Sequence, residues 1–251
     1  MESIGRRMIM RAVSPRLSVV VATFNEPHLA PWLDRVAAIA GPMDAEVVIV
    51  DDSDATRHAA LHDLAPNGVE TRVIAGEHRG KGAAIQKGML EARGDVVLCL
   101  DADVDPKRLD LIPTFFQKIV NGSADAVIAE RTRRGDYDRG FVRSFLSLGL
   151  LFAQRIIVFQ SRRFFDTQCG FKAWRCDVAR ELAARQVVDG GMYDIEYLYQ
   201  AVRRGLRVET IHIEPMEEIR ASRINVLRCL VTDPIALLRI RLRGLLGRYT
   251  R

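Results

Sequence analysis

Five short apolar runs alternate with helical patterns through the first half of the chain, and this alternation restricts the fold more than any other feature. The runs are Leu17–Ala22, Glu46–Asp51, Glu70–Ala75, Asp95–Leu100 and Ala124–Ala129. Between them Pro27–Ala40, Ala55–Leu64, Gly82–Ala92 and Lys107–Val120 carry helical spacing. Strands that are apolar on both faces belong to a sheet covered on both sides, and strand–helix alternation makes that sheet parallel. The predicted class is α/β, a mostly parallel central sheet with helices on both faces. Ligands of such sheets bind beyond the carboxyl ends of the strands.

The second half is less regular. Phe141–Phe159 reads as a helix, apolar along Phe141, Phe145, Leu148, Phe152, Ile156 and Phe159, and again along Leu146, Leu150 and Ile157. A helix apolar on nearly all sides is buried or meets lipid. Arg143 and Arg155 interrupt it. Met192–Arg203 reads as a helix and Arg207–Ile213 as a strand. Asp233-Pro234 has the chemistry of an N-cap and first helical turn. Beyond it Ile235, Leu238, Leu242, Leu245 and Leu246 share one face, with Arg239, Arg241, Arg243 and Arg248 elsewhere. Such an amphipathic C-terminal helix either lies in a membrane interface or packs on its own domain. The expected division is an N-terminal extension over 1–16, a catalytic domain over 17–219 and a basic amphipathic segment over 220–251.

Charge sharpens the last point. The formal net charge is +5, yet residues 220–251 hold eight Arg and a single acid, Asp233. The basicity is local and suits one anionic surface, with no nucleic-acid partner expected. Cys99, Cys169, Cys176 and Cys229 form no Cys-x-x-Cys pair, which argues against zinc and against a disulfide framework. Arg11 interrupts Met8-Ile9-Met10 before a signal-peptide core, and no run reaches the roughly 18–20 apolar residues of a spanning helix. The expected location is cytoplasmic, peripheral on the cytosolic face of a membrane.

Polar clusters fall at the carboxyl ends of the predicted strands. They are Thr23-Phe24-Asn25-Glu26, Val50-Asp51-Asp52-Ser53, Arg79-Gly80-Lys81-Gly82 and Asp101-Ala102-Asp103. Acids at i and i+2 of an extended chain point the same way and repel unless a cation lies between them. Mg²⁺ or Mn²⁺ fits, binding carboxylate oxygens while keeping positions open for phosphate. Gly80 and Gly82 allow close backbone approach to a ligand, and Lys81 supplies a point charge suited to phosphate. This is not a Walker loop: only three residues separate Gly76 from Gly80, and Gly82 stands where Ser or Thr must be.

In this order the clusters resemble glycosyltransferase family 2 and its GT-A nucleotide-diphospho-sugar fold, over roughly Leu17 to Arg243. The segment Asp166-Thr167-Gln168-Cys169-Gly170-Phe171-Lys172 is similar to that of the branch making dolichyl- or polyprenyl-phosphate glucose, beside the polyprenyl-phosphate mannose synthases. Tyr193-Asp194-Ile195-Glu196 and Ser222-Arg223-Ile224-Asn225 carry the same resemblance. It implies that Ala22, Phe24, Glu26, Val50 and Asp52 line the base and ribose pocket. It further implies that Asp101, Ala102 and Asp103 hold nucleotide and metal, with Asp105 a further ligand, and that Arg131, Arg155 and Arg223 surround the acceptor phosphate or donor diphosphate. Asp103, Arg131 and Asp194 are the expected catalytic residues, and Lys81 a donor contact.

The function expected is inverting transfer of a hexose, glucose favoured, from a nucleotide diphosphate sugar to a polyprenyl phosphate. UDP-glucose is the favoured donor, with GDP-mannose the alternative, and Mg²⁺ or Mn²⁺ the cofactor. An integral-membrane partner or a second copy is compatible with this. Three rivals stand beside it. One is transfer to a sugar hydroxyl with Asp194 or Glu196 as base, another a nucleotidyltransferase, and the third a non-catalytic basic module.

Overall fold

The computed structural model describes residues 16–27, 29–64, 66, 68–132, 154–159, 164–214 and 226–249. Seven strands form one sheet: β1 (Leu17–Thr23), β2 (Ala45–Asp51), β3 (Glu70–Ala75), β4 (Val96–Asp101), β5 (Ala126–Arg131), β6 (Phe171–Arg175) and β7 (Val208–Ile213). Their order is β3-β2-β1-β4-β6-β5-β7. All neighbours are parallel except at β6, which runs antiparallel to both β4 and β5. The carboxyl ends of six strands and the amino end of β6 therefore share one edge.

Side chains alternate across each strand and fill a core on either face. Val19 and Val21 of β1 pack with Val47, Ile49, Leu33, Phe115 and Phe116 beneath α1 (Leu29–Ala40) and α4 (Ile112–Val120). On the other face Val20, Val48 and Val50 pack with Ile85, Met89, Trp174, Leu182 and Tyr197. That face is covered by α3 (Lys81–Glu91), α5 (Cys176–Arg185) and α6 (Tyr193–Arg203). Each fully buried side chain of Leu or Val size contributes roughly 1.5–3 kcal/mol of transfer free energy. The remaining helix of the first half is α2 (Ala55–Leu61), capped by Asp54, whose carboxylate accepts from the amides of Thr56 and Arg57.

A third cluster joins a π-helical turn at Gln154–Phe159 to α6 and to α7 (Val226–Leu245) through Val158, Ile195, Tyr199, Leu237, Ile240 and Tyr249. The rest of the predicted helix Phe141–Phe159 lies outside the described residues, as does the extension 1–15.

The C-terminal helix corrects one expectation. Pro234 does not open it but lies inside α7, which begins two turns earlier. A proline removes the hydrogen bond to the carbonyl four residues back, here Leu230. The helix continues past the proline nonetheless, with Leu230 itself on its exposed side. Leu237 and Ile240 are buried against the domain, while Val231, Ile235, Leu238, Leu242 and Leu245 stay more than half exposed.

Candidate active site

The ends of β1 and β2 are tied together by one buried acid. Asp51 Oδ1 accepts from Thr23 Oγ1 at 2.8 Å and from Ser53 Oγ at 2.7 Å, and Asp51 Oδ2 lies 3.3 Å from His58 Nδ1. Ser53 Oγ in turn accepts from the amide of Asn25 at 2.7 Å. Asn25 sits in the left-handed region (φ 52°), which turns the chain so that Phe24 stands exposed and Glu26 half-buried. The neighbouring Asp52 faces the exit of β3, where its carboxylate accepts from the amide of His78 at 3.0 Å. Its carboxyl lies so close to Gly76 that a Cβ there would overlap it. Asp51 is thus structural, and Asp52 is the acid presented at the edge.

Lys81 is the first residue of α3, directly after Gly80 (φ 127°). Its Nζ lies 2.7 Å from Asp101 Oδ1 at the end of β4. Asp101 lies against Gly170, where any Cβ would collide with the carboxyl, and its amide donates to the Gly170 carbonyl at 2.9 Å. Burial works against the Lys81 ammonium, but Asp101, with Asp194 and Asp103 behind it, holds its pKa above the ordinary value. Lys81 nevertheless keeps 44% of its side chain exposed, so it remains accessible to a ligand. Partial burial, then the charges of Asp101 and Glu26, push the Asp103 carboxyl up against the opposing effect of Lys81.

Two carboxylates one residue apart at the end of a strand, the second with its pKa raised in part by the charge of the first, suit a hard dication. Asp101 and Asp103 supply two carboxylates and no more. Among the described residues no three His, Cys, Asp or Glu side chains converge as a metal cage. Asp105 does not join the pair: its Oδ1 accepts from the amide of Lys107 and caps the 3-10 turn Pro106–Leu111. Val50 does not line the edge either, since its side chain is fully buried in the core near Gly88. Ala22 and Ala102 are half-buried beside Asp101.

The opposite side of the edge is built from the second half of the chain. Arg131 ends β5 and forms a two-pronged pair with Asp166, Nε to Oδ2 at 2.5 Å and Nη2 to Oδ1 at 3.0 Å. Despite burial, this pair holds the guanidinium above its usual pKa and the Asp166 carboxyl below the usual carboxylate range. Glu130 anchors the same segment by accepting from the amides of Phe165 and Asp166.

Lys172 on β6 is buried, donating to the Cys169 carbonyl at 2.5 Å and pairing with Asp194 Oδ1 at 2.7 Å. Asp194 lies in the first turn of α6; burial keeps its pKa raised despite Lys172 and Lys81, with Asp101 adding to the rise. Burial likewise pushes the thiol of Cys169 up to about 11, consistent with a packed residue and not a nucleophile.

The edge therefore brings together Phe24, Glu26, Asp52, Lys81, Asp101, Ala102, Asp103 and Arg131, with Asp194 close behind Lys172. The side chains of Arg155 and Arg223 lie outside the described residues. Sequence reasoning assigned no role to Asp166 or Lys172, although both lie in the segment on which the family resemblance rests. No local pattern marks either role, since Lys172 is defined by its contact with Asp194 and Asp166 by its contact with Arg131.

A sheet of this order, covered on both faces and carrying its paired acids beyond β4, is the GT-A glycosyltransferase architecture. Residues 18–183 match the family described as glycosyl transferase family 2, and the chain belongs to that family. It is 35% identical over 227 residues to a dolichyl-phosphate beta-glucosyltransferase of Trichomonas vaginalis, covering 84% of this chain and 68% of that protein. It is 32% identical over 231 residues to the dolichyl-phosphate beta-glucosyltransferase of Drosophila melanogaster, covering 84% and 70%. Among solved structures, glucosyl-3-phosphoglycerate synthase from Mycobacterium tuberculosis, in complex with Mn²⁺, UDP-glucose and phosphoglyceric acid, superposes with a TM-score of 0.63 at 20% identity. That match covers 94% of this chain and 80% of that one, and at this identity it speaks for the fold.

Proposed function

We propose that the chain is a metal-dependent inverting glycosyltransferase that moves glucose from a nucleotide diphosphate sugar to a polyprenyl phosphate of the dolichyl type. The likeness to dolichyl-phosphate beta-glucosyltransferases supports the sugar and the acceptor. UDP-glucose is the favoured donor and GDP-mannose the alternative. One structural observation favours a phosphate acceptor over a sugar hydroxyl. A hydroxyl needs a general base. Both acids available for that task are engaged: Asp194 by Lys172, and Glu196 by two backbone amides and the Tyr249 hydroxyl. A phosphate monoester oxygen is already ionised near neutrality and can attack without a base.

Asp101 and Asp103 would hold Mg²⁺ or Mn²⁺, whose charge offsets the negative charge that develops on the departing diphosphate. Phe24, Glu26 and Asp52 border the space for base and ribose, Phe24 offering an exposed ring. Lys81 can turn from Asp101 to diphosphate oxygens at the N-terminus of α3, where the helix field favours anions. Arg131, oriented by Asp166, would hold the acceptor phosphate close to the donor against their mutual repulsion, with Arg155 and Arg223 as further contacts. The acceptor oxygen bonds to the anomeric carbon from the face opposite the diphosphate. The bond from that carbon to the diphosphate breaks, and the leaving nucleotide keeps the electron pair.

The exposed face of α7 supports attachment to a membrane surface, for which the cytosolic face is the proposed side. Among the described residues no helix is long and apolar enough to cross a bilayer. The outer face of α7 exposes Val231, Ile235, Leu238, Leu242 and Leu245, with Arg239 and Arg248 exposed alongside. Apolar burial combined with attraction to anionic lipid is how an interfacial helix binds. The decisive experiment incubates the pure protein with Mg²⁺, polyprenyl phosphate and a panel of labelled nucleotide sugars. A glucosylated lipid that disappears with EDTA is the expected result; label transferred only to sugar acceptors would overturn the reading.

A further inference from the structure

Glu196 has no exposed surface. A buried carboxylate is tolerated only when its oxygens are filled, and here they are filled by two separate parts of the chain. The amides of Val187 and Val188 donate to it at 2.9 Å each. The hydroxyl of Tyr249, fully buried just beyond α7, donates to Oε1 at 2.7 Å.

The segment held by those amides runs on to form one wall of the Lys81 turn. The amide of Ala83 donates to the Asp189 carbonyl at 3.2 Å. A Cβ on Gly80 would meet that carbonyl oxygen at 2.7 Å. A Cβ on Gly82 would meet the carbonyl oxygens of Val188 and Gly190 at 2.7 and 2.8 Å. Both glycines are therefore required by this wall, quite apart from any ligand. On the other side Tyr249 is fixed to α7 by the Arg243 guanidinium, 5.6 Å from its ring centre, while Arg241 donates to Tyr199 at 3.2 Å.

We infer that Glu196 is a positioning residue. Through Val187 and Val188 it sets the wall against which the Lys81 turn is packed, and through Tyr249 it makes that setting depend on how α7 is seated on the domain. The link to catalysis rests on the proposed contact of Lys81 with the donor diphosphate; the mechanical link does not.

Two variants of the full chain test it, Glu196→Gln and Tyr249→Phe. The glutamine keeps the shape but presents an NH₂ group where one oxygen received an amide. The phenylalanine removes one hydroxyl and leaves Glu196 charged. Amide hydrogen exchange is expected to rise about tenfold in Glu196→Gln, the scale of one lost bond to a charged group, both at 187–193 and at 81–84. In Tyr249→Phe the rise is expected at the same two places but nearer about threefold. UDP affinity in the presence of Mn²⁺, measured by calorimetry, falls in the same order, with the KM for lipid phosphate unmoved. Faster exchange confined to 187–193, or spread evenly over the sheet, overturns the inference. A wild type that binds no nucleoside diphosphate overturns the proposed function, and the exchange pattern alone then decides the mechanical link.

Discussion

Lys81 donates to Asp101 across the carboxyl edge of the sheet, Nζ to Oδ1 at 2.7 Å. The first acid of the Asp-Ala-Asp segment is thus neutralised by a cation that the chain itself supplies, and an incoming metal must compete with it. Lys81→Met should therefore tighten Mn²⁺ binding in the absence of nucleotide. The gain should be about fivefold, since one unit charge at contact distance in a solvated site is worth about 1 kcal/mol. The same variant should weaken UDP binding. Calorimetric titration of each ligand separates the effects; both affinities falling together would show that Lys81 does not oppose the metal.

Asp103 should trade stability for function. Its carboxyl is pushed above the ordinary aspartate value of 3.8 by burial and by Asp101. The folded state therefore holds the proton more tightly than the unfolded one. The stability this confers is present below the unfolded pKa and is lost as pH rises through the folded pKa, so at neutral pH the ionised group works against folding. In EDTA at pH 7, Asp103→Asn should melt no lower than wild type. Metal binding needs the ionised form, so Mn²⁺ affinity should begin to fall, on acidification, at a higher pH than for an ordinary aspartate. Activity of the variant should drop at least about 100-fold.

The Arg131–Asp166 pair should matter through its planarity. Lysine keeps the charge but not the two-pronged contact. Arg131→Lys is expected to raise the KM for lipid phosphate about tenfold, the scale of one charge-assisted bond. The KM for donor should change little. An unchanged acceptor KM would detach Arg131 from the acceptor.

On α7 the two faces should behave oppositely. Leu238→Asp and Leu242→Asp alter exposed side chains, so melting temperature should hold while binding to anionic vesicles is lost. Ile240→Asp places an unpaired charge in a fully buried position and should destabilise the whole domain. Vesicle sedimentation beside thermal melting of the three variants distinguishes an interfacial helix from one that only packs.

In the first half of the sheet β1, β2, β4 and β5 were legible because they are largely apolar and buried on both faces, and the partly exposed edge strand β3 because it lies between two helical patterns. β1, β2, β3, β4 and β5 lie within two residues of the predicted runs. β6 escaped because Lys172 interrupts Phe171–Arg175; a buried lysine reads as exposed until its partner Asp194 is known, and that partner lies on a later helix. The start of α7 escaped because a proline ordinarily opens a helix, whereas this helix runs through it. At the edge, Asp-Ala-Asp and Gly-Lys-Gly were visible as motifs. Their direct contact depends on the register of β1 between β2 and β4, which no local pattern encodes. The division of labour between Asp51 and Asp52 was likewise hidden, since it depends on which acid meets Thr23 and Ser53 and which meets His78.

The reversed direction of β6 has an evolutionary consequence. Because its amino end lies on the same edge as the carboxyl ends of its neighbours, the chain crosses that edge before entering the strand, at Asp166–Gly170. The four strands β3, β2, β1 and β4 were complete by then. Changes at Asp166 act on the Arg131 flank of the catalytic edge, whereas Gly170 is held to glycine by the Asp101 carboxyl on the other flank. A lineage built on this plan can change what it modifies without relearning what it carries.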